Sequence, residues 1–293
     1  MKVRLTKAEA FALAAVATTF VLVYARVFMR LVQDWRTDDN YSHGFLVIPV
    51  AAYLVWEQRR LLSATRLKGS LLGVPVVLGS LGLLVAGMLG AELFLTRIAM
   101  IGTLIGCILF LAGWRYVSAL RFPLALLFLM VPIPAIIFNQ IAFPLQLVAS
   151  RFGTLVVSAF GIPVLREGNL IVLANDTLEV AEACSGIRSL MSLVTVAAVY
   201  GYFSESRSTI RWCLVFATVP VAIVANGLRV AGTGIATHFW GPAVAHGVFH
   251  SFSGWVVFSA ACGMLFVFHR IYEWLLQRRQ PALQEAALPS TMA

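Results

Sequence analysis

Residues 210–231 read IRWCLVFATVPVAIVANGLRVA. No side chain between Arg211 and Arg229 is charged. A helix rising about 1.5 Å per residue carries the chain roughly 27 Å from one arginine to the other, close to the ~30 Å of a bilayer's hydrocarbon core. The stretch therefore reads as a membrane-spanning helix. Similar runs recur near residues 8–28, 43–57, 71–90, 98–114, 119–138, 185–203 and 252–271. The 293-residue chain is 60% hydrophobic and 12% charged, against about 45–50% and roughly 25% in soluble proteins. The expected fold is an all-α polytopic membrane protein of about eight transmembrane helices. The formal charge of +9 sits in short basic clusters between apolar runs, as insertion topology requires, so no nucleic-acid partner is expected.

Those clusters also set orientation. Lys2, Arg4 and Lys7, then Arg59, Arg60, Arg66 and Lys68, then Arg115 and Arg121, then Arg207 and Arg211, then Arg270, Arg278 and Arg279 fall on one set of loops. Basic loops stay cytoplasmic, which places both termini inside. The run from Ala8 to Phe28 lacks a small-residue cleavage pattern and reads as a retained first helix. Residues 1–279 are expected to form one integral membrane domain, followed by a flexible cytoplasmic tail over 280–293. The opposite face receives a long insertion, 139–183. A connection of that length usually carries function. Its first part, 141–160, is interrupted by Pro144, Gln146, Ser150 and Arg151 and reads as an interfacial or re-entrant helix, since a crossing there would break the charge pattern. The alternating run Val164 to Leu173, the turn Ala174-Asn175-Asp176 and the run Thr177 to Val180 predict a small extracytoplasmic β-hairpin, placed as a lid over the next helix.

That next helix opens with Glu182-Ala183-Cys184-Ser185-Gly186-Ile187-Arg188. A helix start presents free N–H groups and a positive dipole end, both of which favour a thiolate. Ser185 and Gly186 are small enough for a substrate backbone to approach. Cys107, Cys213 and Cys262 lie inside apolar runs and read as small buried hydrophobes. Arg229 reaches about the depth of Cys184, where an arginine either snorkels to head groups or serves function. His246 and His250 stand four apart at the start of the last run. Zinc needs three or four protein ligands, and no Asp or Glu lies between Thr237 and Phe268, so no metal is expected. His250 is better used as the acid–base partner of Cys184, whereas His238, His246 and His269 read as interfacial histidines. Glu182 and Arg188 either pair across one turn or orient substrate, and Asn226 bonds a freed carbonyl or His250. His43, with Asp34, Asp38 and Asp39, lies on the same outer face.

These residues resemble the exosortases of the exosortase/archaeosortase superfamily. The resemblance spans most of the chain and rests on EACSGIR (182–188), NGLRV (226–230), HSFSGW (250–255) and YSHGFLV (41–47). It implies a cysteine transpeptidase of the bacterial inner membrane, facing the periplasm, that cleaves PEP-CTERM-type sorting tails through a thioester without a cofactor. Cys184 would be the nucleophile, with Arg229 and His250 as partners. Glu182, Ser185, Gly186, Arg188, Asn226 and His43 would support them or bind substrate. Its partners would be membrane-anchored protein substrates, the lipid bilayer and an acceptor nucleophile of unknown kind. Rival readings are a transporter for an exopolysaccharide intermediate, a non-enzymatic assembly factor for exopolysaccharide export, and a serine protease on Ser185. No inverted repeat supports the first, and no Gly-x-Ser-x-Gly elbow supports the last.

Overall fold

The structure is a computed structural model that describes residues 7–174, 176–180, 187–241 and 248–286; side chains at 7–10, 187, 248–251 and 277–286 lie outside the description. Contacts group the chain into two compact units, Met1–Phe138 and Asn139–Ala293. The boundary falls where the sequence places the start of the long insertion.

In the first unit, α1 (Lys7–Thr37) leads through a 3-10 turn at Asp39–Tyr41 into α2 (Gly44–Glu57). Then follow α3 (Arg59–Ala64), α4 (Gly73–Leu89), α5 (Leu93–Leu111), α6 (Trp114–Ala119) and α7 (Arg121–Leu126). The buried residues of α1 are Tyr24, Leu31 and Trp35, one stripe at helical spacing. Its other faces expose Phe11, Leu22 and Met29, which suits lipid as the solvent. The Tyr24 hydroxyl meets Thr103 Oγ1 at 2.7 Å on α5, and Asp34 pairs with the buried Arg97. A buried guanidinium requires such a partner.

The sequence predicts one span over 119–138, but the chain breaks it. After α7 a 3-10 turn covers Leu127–Met130 and residues 131–134 are irregular. Pro132 and Pro134 cause the break, because proline donates no hydrogen bond and drives the preceding residue out of the helical region. Val131 is accordingly extended, at φ −87° and ψ 119°. Three side chains from the α1–α2 junction meet the backbone groups thus freed. Trp35 Nε1 donates to Met130 O at 2.9 Å, His43 Nε2 lies 3.0 Å from Leu129 O, and Ile133 N donates to the Tyr41 hydroxyl at 3.1 Å. Gly44 lies so close beneath Trp35 that a Cβ there would be only 2.3 Å from the indole nitrogen.

α8 (Ala135–Ala159) runs through Pro144 as one helix. Within the second unit its buried positions are Ala142, Gln146, Ala149, Ser150, Gly153 and Val157, a single stripe. Phe143, Val148 and Leu155 are exposed on the other side. The insertion's second part is a three-stranded antiparallel sheet in the order β1 (Val164–Glu167), β2 (Leu170–Leu173), β3 (Thr177–Glu179). The predicted run 164–173 is thus two strands. Glu167 pairs with Leu170 across a two-residue loop, and Gly168 takes φ +65°, a left-handed conformation that glycine adopts without strain. Ile171 and Leu173 face inward against Ala149 and Val157 of α8 and Val230 and Ala231 of the following long helix. The buried Ser150 hydroxyl donates to Gly168 O at 2.9 Å and docks the turn on α8.

Three helices complete this unit: α9 (Ile187–Ser204), α10 (Ser208–Trp240) and α11 (Val248–Ala286). They share a core of Leu193, Ala197, Leu214, Ala217, Ala225, Ala261 and Leu265. α10 continues well past the predicted end at 231, because Val230, Ala231 and Ile235 cover the sheet. α11 begins before residue 252 and extends to Ala286, into the segment expected to be a flexible tail. Five helices among the described residues are long and apolar enough to cross a bilayer: Phe11–Thr37, Leu93–Leu111, Ala135–Ala159, Ser208–Trp240 and Phe252–Leu276. Gly73–Leu89 and Arg121–Met130 are shorter apolar helical segments. α8 therefore has the length and composition of a crossing helix, where the sequence favours an interfacial or re-entrant one.

Candidate active site

Arg229 and Asn226 lie three apart on α10, on one face of the helix. Asn226 is 4% exposed and Arg229 half-buried. Both positions are fixed by a close crossing of α10 over α8. A Cβ on Gly227 would stand 2.4 Å from the Phe152 ring, and one on Gly153 would stand 2.6 Å from Val230 Cγ1. Small residues let helix backbones approach in this way. The glycine of NGLRV is therefore a packing residue that brings Asn226 to a small cavity lined also by Leu145, Ala149, Leu190, Val219, Ala222 and Ile223.

The Arg229 guanidinium reaches α11. A Cβ built on Gly254 would lie 3.6 Å from Arg229 Nη2 and 3.8 Å from Cζ. The glycine of HSFSGW thus leaves room for the cation, and the helix backbone at His250 lies one turn earlier. α9, packed against both α10 and α11, carries Arg188 half-buried in its first turn. Arg188, Asn226, Arg229 and Ser253 each take part in a specific interaction. The structure thus brings Arg229 to the helix that carries position 250. Glu182, Cys184, Ser185 and Gly186 lie outside the described residues, as does the His250 side chain.

His43 belongs to the first unit and is 7% exposed. Its Nε2 is spent on the Leu129 carbonyl, and its ring packs against Tyr41 with centroids 6.3 Å apart. That arrangement gives it a structural task at the proline break. The acidic residues grouped with it are also engaged: Asp34 holds Arg97, and Asp38 accepts from Asn40 N at 2.9 Å. Cys107, Cys213 and Cys262 are half-buried free thiols in helices. His269, read from sequence as interfacial, is 2% exposed and bonded to the Tyr200 hydroxyl at 2.8 Å. His269 and Glu273 stand one helical turn apart on α11, a spacing visible in the sequence itself.

Residues 35–267 match the family model of the transmembrane exosortases. No curated protein matches, and no solved structure does. The matched segment covers well over half of the chain and contains EACSGIR, NGLRV and HSFSGW; the chain belongs to the transmembrane exosortase family.

Proposed function

We propose that the chain is a membrane-embedded cysteine transpeptidase that cleaves PEP-CTERM-type sorting tails of membrane-anchored proteins and passes them to an acceptor nucleophile. Family membership supports a membrane transpeptidase role. The observation that carries the residue assignment is the seating of the Arg229 guanidinium against Gly254, one turn from position 250.

In this mechanism the Cys184 thiolate attacks the scissile carbonyl, the sulfur–carbon bond forms and the carbon–nitrogen bond breaks. His250 gives its proton to the departing amine and then activates the second nucleophile, which resolves the thioester. Arg229 holds the developing oxyanion or the thiolate. Arg188, Asn226 and Glu182 orient substrate or partner residues, while Ser185 and Gly186 leave space for its backbone. No cofactor takes part. The topology is the eight-span one, with both termini cytoplasmic and the site facing the periplasm of a bacterial inner membrane.

The test is co-expression with a reporter ending in a Pro-Glu-Pro motif, an apolar span and an arginine cluster. Tail-less product made by the wild type and absent for Cys184→Ala, Arg229→Ala and His250→Ala at matched expression supports the reading. An authentic substrate processed equally by Cys184→Ala refutes the cysteine mechanism. Mass analysis of the new C-terminus separates ligation from hydrolysis.

A further inference from the structure

We propose that Glu205, His269 and Glu273 form a binding site for a divalent transition cation of the zinc class. Among the described residues, one group of three metal-ligating side chains comes together, with all its ligand atoms within 4.8 Å of one another. His269 Nε2 lies 3.5 Å from Glu205 Oε1 and 3.8 Å from Glu273 Oε1. Those separations are too long for hydrogen bonds. They approach the edge of a zinc tetrahedron, about 3.4 Å for metal–ligand bonds of roughly 2.0–2.2 Å.

A second observation points to a ligand independently of the carboxylates. His269 is 2% exposed, and its Nε2 is buried without a hydrogen-bond partner. A buried polar atom left unmade is costly. The other ring nitrogen, Nδ1, is tied to the Tyr200 hydroxyl at 2.8 Å. With Nδ1–H donating to that oxygen, the Nε2 lone pair faces the gap between two carboxylates, an arrangement that a cation stabilises. An outer hydrogen bond of this kind commonly fixes the tautomer of a metal-bound histidine. Neighbouring cations leave the gap open. Arg270 Nη1 takes the other oxygen of Glu273, Oε2, at 3.4 Å, and Arg211 Nε donates to the Glu205 backbone carbonyl rather than to its carboxylate.

Imidazole and carboxylate donors without thiolate suit zinc. Three protein ligands leave one position for water. The ion would tie the α9–α10 connection, which holds Glu205, to α11, which holds the other two ligands. Arg211 lies roughly 27 Å along α10 from Arg229, so this tie is remote from the candidate active site and independent of the acyl-transfer reading.

The test uses the full-length protein in detergent, purified through a tag that contains no histidine, stripped with a chelator and titrated with zinc against a chromophoric competitor. One zinc per chain is expected, with an all-nitrogen/oxygen shell by X-ray absorption. Glu205→Gln and Glu273→Gln are expected to weaken binding at least tenfold, and Tyr200→Phe by roughly 10–100-fold. Glu273 is only partly buried, so its variant keeps the test open should His269→Ala fail to fold. Substoichiometric zinc in the wild type, affinity unchanged in both glutamine variants, or sulfur in the metal shell overturns the proposal.

Discussion

Arg229 combines partial burial with a neighbour on another helix, and both follow from its place in the chain. It stands three residues after the buried Asn226, and its guanidinium comes to rest beside Gly254. If it stabilises charge in the reaction, Arg229→Ala lowers the processing rate by about 10²–10³ while expression and melting temperature stay near wild type. The check is the rate of reporter processing, normalised to protein. Gly254→Leu would push the guanidinium aside and produce the same loss, whereas Gly254→Ala adds a methyl at ordinary contact distance and is tolerated. His43 gives the contrasting case. Its Nε2 partners a backbone carbonyl, so His43→Ala is expected to cost about 1–3 kcal/mol of stability, read as a lower melting temperature in detergent. A large activity loss at unchanged melting temperature would instead make His43 a substrate-contacting residue.

At the scale of elements, two devices position the site. The crossing of α8 and α10 depends on Gly153 and Gly227, and Gly227→Leu would drive a side chain into Phe152. Overpacking of that kind costs about 1–3 kcal/mol or more, and here it would also displace Asn226 and Arg229. Gly232, also on α10, has nothing within 4 Å of its would-be Cβ, so Gly232→Ala serves as the tolerated control in the same thermal-shift series. The other device is the small sheet, which gives the last part of α10 an apolar surface to cover. With α8 it covers Val230, Ala231 and Ile235. Gly168→Val would strain the β1–β2 turn and loosen the Ser150 contact, and is expected to raise protease sensitivity within 164–180.

For the whole molecule, the open element is α8, which is long and apolar enough to cross although the basic residues argue for an insertion lying at the outer surface. Orientation by positive charge predicts that a cysteine at Asn175 reacts with an impermeant thiol reagent added outside intact cells, while one at Thr209 does not. Labelling of both on the same side would show that a span has been misassigned and would separate Cys184 from Arg229, whereas the reverse pattern would invert the orientation and leave the two on one side. The wild-type chain gives the background from its four native cysteines, Cys107, Cys184, Cys213 and Cys262.

Hydropathy and turn chemistry are local properties, and through them the sequence by itself determined that this is a helical multi-pass membrane protein with a small β insertion. Apolar length specifies α1, α5, α10 and α11, and the residues between Leu173 and Thr177 mark a turn. The motifs EACSGIR, NGLRV and HSFSGW were also legible, and they carried the family. Tertiary structure decided the rest, because it depends on partners tens of residues away. The proline break at 131–134 is tolerated because Trp35, Tyr41 and His43 meet its backbone groups. The stretch of α10 beyond residue 229 is covered by the sheet and α8, and the turn at Gly168 is set by pairing within that sheet. Arg229 meets Gly254, and His269 meets Glu205, only when α9, α10 and α11 pack together; no periodicity along the chain encodes either meeting.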